Sequence, residues 1–393
     1  MELLTLAEPP ASAELVIIGA GVVGAASAYH ASKRGLSSVI LERRGKPASL
    51  TTCRATGGFR LQFDNLAEIT LITESIELFQ ELEQQGFDLG IKRQGYLWCT
   101  TEQEGVERQV RLVELQRGWG LDDVELLSGE EVRERFPYIG DAVLQARFRQ
   151  ADGFIDSRAL AMALLSQSGA EVVLECEVEQ LLLENDRIAG VSTSRGNIAC
   201  DQVILAAGPF SGPIAKTVGL ELPLSTVRRQ KLICSNAPMV PNDAPMVIDE
   251  ETGAHWRPAL GGAYLLHTDA AEPSSPPADP VQVDESLRKR LLDPENPTSV
   301  CRITPFWAEM KDDEEVEWEV VAGQYTMTPD HMPLVGASKI EGLWLNCGYS
   351  GHGIMASGAC SRMLLDIMVG RISDDENPLQ PDREFVQREI SGL

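Results

Sequence analysis

Six consecutive residues, Gly19-Ala20-Gly21-Val22-Val23-Gly24, follow directly on the apolar run Leu15-Val16-Ile17-Ile18, and Glu42 stands 18 positions beyond the last glycine. That spacing can hold the phosphates and ribose of a nucleotide. Gly19 permits the tight turn out of a strand, Gly21 lets the main chain approach a pyrophosphate, and Gly24 lets the next helix pack close to the strand. Val22 and Val23 open that helix, whose N-terminal amides and partial positive charge face the phosphates. A carboxylate at Glu42 can accept from ribose hydroxyls. Glycines also serve ordinary turns, so the signal lies in the ordered elements around them. The apolar run reads as a buried parallel strand, residues 22–34 as the helix and Gly35 as its end. Ser38-Val39-Ile40-Leu41 reads as a second strand, closed by Glu42.

The rest of the chain bounds what such a site can belong to. At 393 residues and 43% hydrophobic content it can bury a large core, in two domains or in one with an inserted lobe. Acidic side chains outnumber basic ones 59 to 34, for a formal charge of −25, and no dense Lys/Arg cluster interrupts them. Nucleic acid is therefore a poor partner, and the acidity reads as a feature of solubility or of a salty or hot habitat rather than of binding. The eight cysteines show no CxxC or CxH spacing. That pattern argues for reduced thiols, against a zinc site, and for a cytoplasmic protein. The first 14 residues lack the basic stretch of a signal peptide, and no apolar run approaches the length of a membrane span.

Three segments share the character of one α/β layer system. They are the fingerprint region, residues 156–207, and residues 342–369. The second holds a helix over 157–168 capped by Asp156, strands over 171–176, 178–184 and 188–192, and the apolar strand Val203-Ile204-Leu205-Ala206-Ala207-Gly208. The third runs from a strand at 342–348 into Gly348-Tyr349-Ser350-Gly351-His352-Gly353-Ile354-Met355 and a helix rich in small residues, 356–369. Between them, 90–100, 143–149, 225–232, 255–257 and 263–267 read as strands, 102–117 and 283–292 as helices, and 300–303 as a further strand. The arrangement predicts an α/β fold with a discontinuous nucleotide domain, interrupted twice by a sheet-rich lobe.

At this point the sequence resembles the D-amino-acid-oxidase-type flavoproteins, specifically their sarcosine oxidase branch, over nearly its whole length. The resemblance is carried by the fingerprint, by Thr51-Thr52-Cys53-Arg54-Ala55-Thr56-Gly57-Gly58-Phe59-Arg60, by 203–208, and most specifically by Gly348-Tyr349-Ser350-Gly351-His352-Gly353. Sarcosine oxidase β-subunit-like proteins and archaeal dye-linked proline dehydrogenase catalytic subunits share the pattern. The resemblance implies a Rossmann-type FAD-binding domain (1–90, 150–222 and 323–393) and a mixed or antiparallel-sheet substrate domain (91–149 and 223–322). It implies FAD rather than NAD. Gly19, Gly21, Val22, Val23 and Gly24 would meet the pyrophosphate, and Glu42 with Arg43 the adenosine ribose. Val178 would meet adenine, while Ala207 and Gly208 allow a second close approach. Gly348, Gly351, His352, Gly353, Ile354 and Met355 supply a helix N-terminus for the isoalloxazine. Thr51, Thr52 and Arg54 are either flavin contacts or solvated loop residues.

The implied chemistry is oxidation of the C–N bond of a secondary or N-alkylated amino acid by hydride transfer to flavin N5, giving an imine. Arg60 matches the arginine that clamps the substrate carboxylate. Tyr325 is either the aromatic beside flavin and substrate or a strand-end core tyrosine. His352 lies at the flavin edge or makes a structural hydrogen bond. His255 and His267 sit in the lobe that roofs the site, and each is equally readable as an ordinary core or surface histidine. Covalent flavoproteins of this kind carry a cysteine where this chain has Gly323, or a histidine in the loop of Cys53-Arg54, so the FAD is expected to be non-covalent. Monomeric sarcosine oxidases have a lysine where Met355 stands and another over the ring, whose counterpart falls in Tyr264-Leu265-Leu266-His267. Both absences favour a dehydrogenase, with an unknown electron acceptor, over a fast oxidase. The small-molecule amine reading competes with D-amino acid or opine oxidation and with a non-catalytic flavin subunit. The resemblance also implies a possible partner subunit, since the sarcosine oxidase β and proline dehydrogenase subunits work inside hetero-oligomers.

Overall fold

The computed structural model describes residues 3–386, so residues 1, 2 and 387–393, at the outer ends of the expected flavin domain, lie outside the described residues. The apolar run Leu15–Ile18 is buried along its whole length because it lies near the middle of a seven-stranded sheet. In order across that sheet stand Thr5–Leu6, Glu171–Val173, Ser38–Leu41, Leu15–Ile18, Val203–Leu205, Leu343–Cys347 and Leu334–Ala337. Every pair is parallel except the last, where Leu334–Ala337 runs antiparallel to Leu343–Cys347. A sheet covered on both faces needs apolar strands at its centre, which is what Leu15–Ile18 and Val203–Leu205 are. Helices Val22–Ser32, Ser157–Ser168 and Gly353–Met368 pack together with Leu66–Gln84 in one apolar core. A three-stranded antiparallel meander, Val178–Glu184, Arg187–Thr193 and Gly196–Ala199, contributes to the second.

The second sheet has eight strands, ordered Glu317–Met327, Ser225–Ser235, Gly262–His267, Ala254–Ala259, Met246–Asp249, Tyr96–Thr100, Gln145–Arg149 and Glu125–Ser128. Its one parallel pair joins Met246–Asp249 to Tyr96–Thr100. The α/β class with a mixed parallel sheet and a mainly antiparallel one is thus as the sequence reading has it. Three local readings need correction. Residues 300–303 are not a strand, because the Ser299 hydroxyl caps the Cys301 amide and starts a short 3-10 turn. The nineteen-residue helix Leu66–Gln84 was not read, although Asn65 accepts from the Glu68 amide at 2.8 Å as its cap. The strand Glu317–Met327 was missed as well, because its acidic start reads as loop. Among the described residues no helix is long and apolar enough to cross a membrane, and no cluster of metal-binding side chains is present.

Candidate active site

A cavity of about 400 Å³ runs past the ends of the parallel strands and is roofed by the second sheet. At one end are Glu42, Arg43 and Val178; in the middle Gly19, Gly21, Val22, Val23, Ala207 and Gly208. Toward the other end stand Thr51, Thr52, Arg54, Gly348, Gly351, Gly353, Ile354 and Tyr325. The structure thus brings most of the expected residues to one surface. Gly24, Met355, Arg60, His352 and His255 are not part of that wall.

Each placement has a local cause. The fingerprint helix begins at Val22 with no side-chain cap, and the Val22 amide donates to Thr52 Oγ1 at 3.1 Å. Thr52 thereby pins the 51–54 loop onto the helix start. Gly24 lies beneath: a Cβ there would sit 1.8 Å from the Gly19 carbonyl oxygen, so only glycine lets helix and turn close up. The two Glu42 carboxylate oxygens accept from the Ala20 amide at 3.0 Å and the Arg44 amide at 2.9 Å. Each retains lone-pair capacity toward the cavity. Burial raises the Glu42 carboxyl above its ordinary range, more than those two amides lower it. Arg43 stacks on Phe210, 4.3 Å from the ring centre.

At the far end the Gly-His-Gly turn caps the helix Gly353–Met368. Gly351 has φ +99°, and a Cβ there would lie 2.5 Å from Tyr325 Cε2, so the tyrosine ring packs directly against the turn. His352 is instead drawn out of the wall, its Nδ1 3.0 Å from Glu68 Oε1 and its ring edge-on to Phe63. Burial pushes the Glu68 carboxyl up, but the His352 and Asn65 hydrogen bonds and the Arg60 charge outweigh it and hold it at about 2. A buried network joins this turn to the fingerprint helix. Tyr349 donates to Asn346 Oδ1 at 2.6 Å, and the Asn346 amide donates to Ser27 and Ser361, both at 3.0 Å. Met355 faces this core. Arg60 is buried behind the wall, 4.4 Å from the Phe63 ring centre and 5.4 Å from that of Trp98. His255 is buried in the second sheet, Nδ1 2.9 Å from the Gly253 carbonyl oxygen, and burial lowers it to about 4.

The sequence reading missed the cations that the second sheet delivers. Lys231 pairs with Leu266 across the ladder and lines the cavity, Nζ 3.7 Å from the Tyr264 ring centre and 3.2 Å from the Ala55 carbonyl oxygen. The segment 264–267 holds no lysine, as read, but its neighbouring strand brings one to the same place. Arg229 lines the cavity two residues earlier on the same face, its guanidinium carbon 5.7 Å from the Tyr325 ring centre. The signal was present, since alternate residues of a strand share a face. What sequence alone lacked was the register. Val227 is opposite Tyr325, Arg229 opposite Gly323 and Lys231 opposite Val321, and those three partners all line the cavity.

The arrangement fits FAD. Two helix N-termini, more than a mononucleotide needs, meet the same cavity, and Gly19, Gly21, Gly208, Gly348 and Gly351 leave bare backbone in its wall. The carboxylate suited to a ribose stands at the end opposite Tyr325. When bound, the flavin would supply two-electron acceptance.

Comparison with known proteins agrees. The chain is 27% identical to human mitochondrial dimethylglycine dehydrogenase over 391 residues, covering 94% of this chain and 44% of that protein, and thus spans under half of it. It is 26% identical to glycine oxidase of Pseudomonas aeruginosa, covering 92% of this chain and 96% of that protein. The crystal structure of L-proline dehydrogenase from P. horikoshii superposes with a TM-score of 0.83 at 25% identity, covering 95% of this chain and 98% of that one. The model of the FAD dependent oxidoreductase family (DAO) matches residues 14–367, nearly the whole fold, and the chain belongs to that family.

Proposed function

We propose that this protein oxidises the C–N bond of a secondary or N-alkylated amino acid, giving an imine, with non-covalently bound FAD as the oxidant. The observation that carries this reading is the cationic end of the cavity, where Arg54, Arg229 and Lys231 line the wall beside Tyr325 and the Gly351 turn. Such an end attracts a carboxylate. It also disfavours a neighbouring ammonium, so the amine is held neutral with its lone pair free to form the C=N bond as hydrogen leaves the adjacent carbon. The relatives named as dimethylglycine and proline dehydrogenases support an N-substituted substrate. They also support a dehydrogenase. Met355 keeps one of the two lysine absences that favour a dehydrogenase, while Lys231, paired with Leu266, weakens the other.

Anaerobic addition of sarcosine, dimethylglycine or L-proline to the flavin-loaded protein should bleach the flavin absorbance. If none of a panel of N-substituted amino acids bleaches it, the proposal fails. Dioxygen and an artificial dye, offered in turn to the bleached protein, will separate oxidase from dehydrogenase. Non-covalent attachment is supported by Gly323, which puts no nucleophile into the wall, and by Cys53, whose thiol donates to the Leu50 carbonyl at 3.2 Å outside the lining. Acid precipitation should therefore leave all yellow colour in the supernatant.

A further inference from the structure

Among the described residues Lys231 is the only buried lysine, and it lines the cavity. A buried ammonium is normally paired with an anion. The contacts of this one are neutral: Nζ donates to the Ala55 carbonyl oxygen at 3.2 Å and lies 3.7 Å from the Tyr264 ring centre. Cations crowd it instead. The Arg257 guanidinium shares the Tyr264 ring, 4.6 Å from its centre, and is fixed there by donating to the Thr56 carbonyl oxygen at 2.8 Å. Arg54 lines the cavity from the loop that supplies Ala55. Burial, then the Arg257 and Arg54 charges, bring the ammonium down to about 7, against the opposing effect of Cys53 and Glu319. The neutral amine has two N–H bonds and one lone pair. The Ala55 carbonyl and the face of Tyr264 can accept both N–H bonds, which leaves the lone pair as the remaining vertex. Holding a carboxylate does not depend on this amine, because Arg54 and Arg229 stay charged at the same end of the cavity.

We infer that Lys231 is a nucleophile that forms a Schiff base with a carbonyl or imine carbon carried near a carboxylate, and that it takes this carbon from the oxidised substrate. This rests on the amine-oxidation reading and goes beyond it. Loss of hydride leaves a protonated imine in the cavity. The Lys231 lone pair attacks its carbon and forms a new C–N bond. The original C–N bond then breaks, and one proton passes from Lys231 to the departing nitrogen, so the positive charge stays on the new Schiff base. Water later frees the carbonyl product and restores the lysine, and the exchange consumes no oxidant or reductant. Alternate residues of a strand share a face, so the carbon meets Lys231 while its carboxylate is held two residues away at Arg229.

The test uses the flavin-loaded protein with glyoxylate and sodium cyanoborohydride, which reduces a Schiff base to a stable amine. Nα-acetyl-lysine is added as an internal reference, and the digested protein is mapped by mass spectrometry. At neutral pH, carboxymethyl groups should build up on Lys231 at least about tenfold faster than on the reference. That ratio should fall as the pH rises above about 7, where Lys231 is already free amine and the reference is still gaining it. Methylthioacetate, which has the carboxylate and no carbonyl, should slow the labelling of Lys231 and leave the reference unaffected. Labelling no faster than the reference, or indifferent to methylthioacetate, would overturn the inference. A second arm adds cyanoborohydride to the protein during a single anaerobic turnover of an amine that bleaches it, and the oxidised carbon should appear on Lys231. Bleaching that leaves no carbon there sinks this inference while the amine reading stands. Fast glyoxylate labelling in a protein that no amine bleaches sinks the amine reading and leaves Lys231 as a carbonyl-binding amine.

Discussion

Lys231 shows how a single residue reports on the cavity. Burial, with the Arg257 and Arg54 charges adding to it, lowers its ammonium from 10.5 to about 7. The sign of the consequence follows from linkage. Between about pH 7 and 10.5 the unfolded chain holds a proton that the folded chain has released, so stability rises with pH across that window and levels off outside it. The shift corresponds to about 5 kcal/mol at most, on the order of 1.4 kcal/mol for each unit. Urea unfolding of the flavin-free protein should show this rise, and Lys231→Met, which keeps the apolar stem, should flatten it. A ligand with a carboxylate and no amine should feel the same proton. Methylthioacetate affinity should fall as the pH rises through about 7, and in Lys231→Met it should become independent of pH there. A slope unchanged by the substitution would mean that another group titrates.

At the scale of elements, the fingerprint turn and its helix form one unit whose tolerance is set by a single contact. A methyl group at position 24 would have to occupy the place of the Gly19 carbonyl oxygen, which is backbone and cannot swing aside. Gly24→Ala must therefore push the helix Val22–Ser32 off the strand, at an overpacking cost of about 1–3 kcal/mol. It also displaces the amides that face the phosphate region. FAD affinity measured by fluorescence quenching should fall much further than the melting temperature, and equal small effects would show that the turn relaxes. This unit was legible in the sequence because all its determinants are local: an apolar run, glycines and a terminal acid within 28 residues. The helix Ser157–Ser168 was legible for the same reason, with Asp156 accepting from the Arg158 and Ala159 amides. The strand Glu317–Met327 was not, since its first half is acidic and its conformation comes from eleven cross-strand pairings with Ser225–Ser235, about ninety positions away. The substrate end of the cavity depends on that same pairing. Arg60, expected at this end from the resemblance, lies behind the wall, whereas Arg229 and Lys231 line it and acquire their place only from the register.

For the molecule as a whole, the cavity wall is drawn from both sheets. Gly21, Val22 and Ile18 come from the parallel one and its helix, and Arg229, Lys231, Leu266 and Val321 from the antiparallel one. A ligand that fills such a cavity binds only when the two are in register with each other, so its binding free energy adds to the stability of both. Free FAD at a hundred times its dissociation constant should contribute about 2.7 kcal/mol, and each further tenfold about 1.4 kcal/mol. For a chain of this size each kcal/mol moves the midpoint by about 1–3 °C, so a shift of several degrees is expected. The protein stripped of flavin should regain stability in proportion to the logarithm of added FAD. Because the antiparallel sheet supplies part of the wall, amide exchange should slow there, in Ser225–Ser235 and Gly262–His267, as well as around the fingerprint. NAD lacks an isoalloxazine, which would face the Tyr325 end, and should protect the fingerprint alone. Protection confined to the parallel sheet with FAD as well would mean that the flavin ring does not bridge the two, and that the cationic end is a separate compartment.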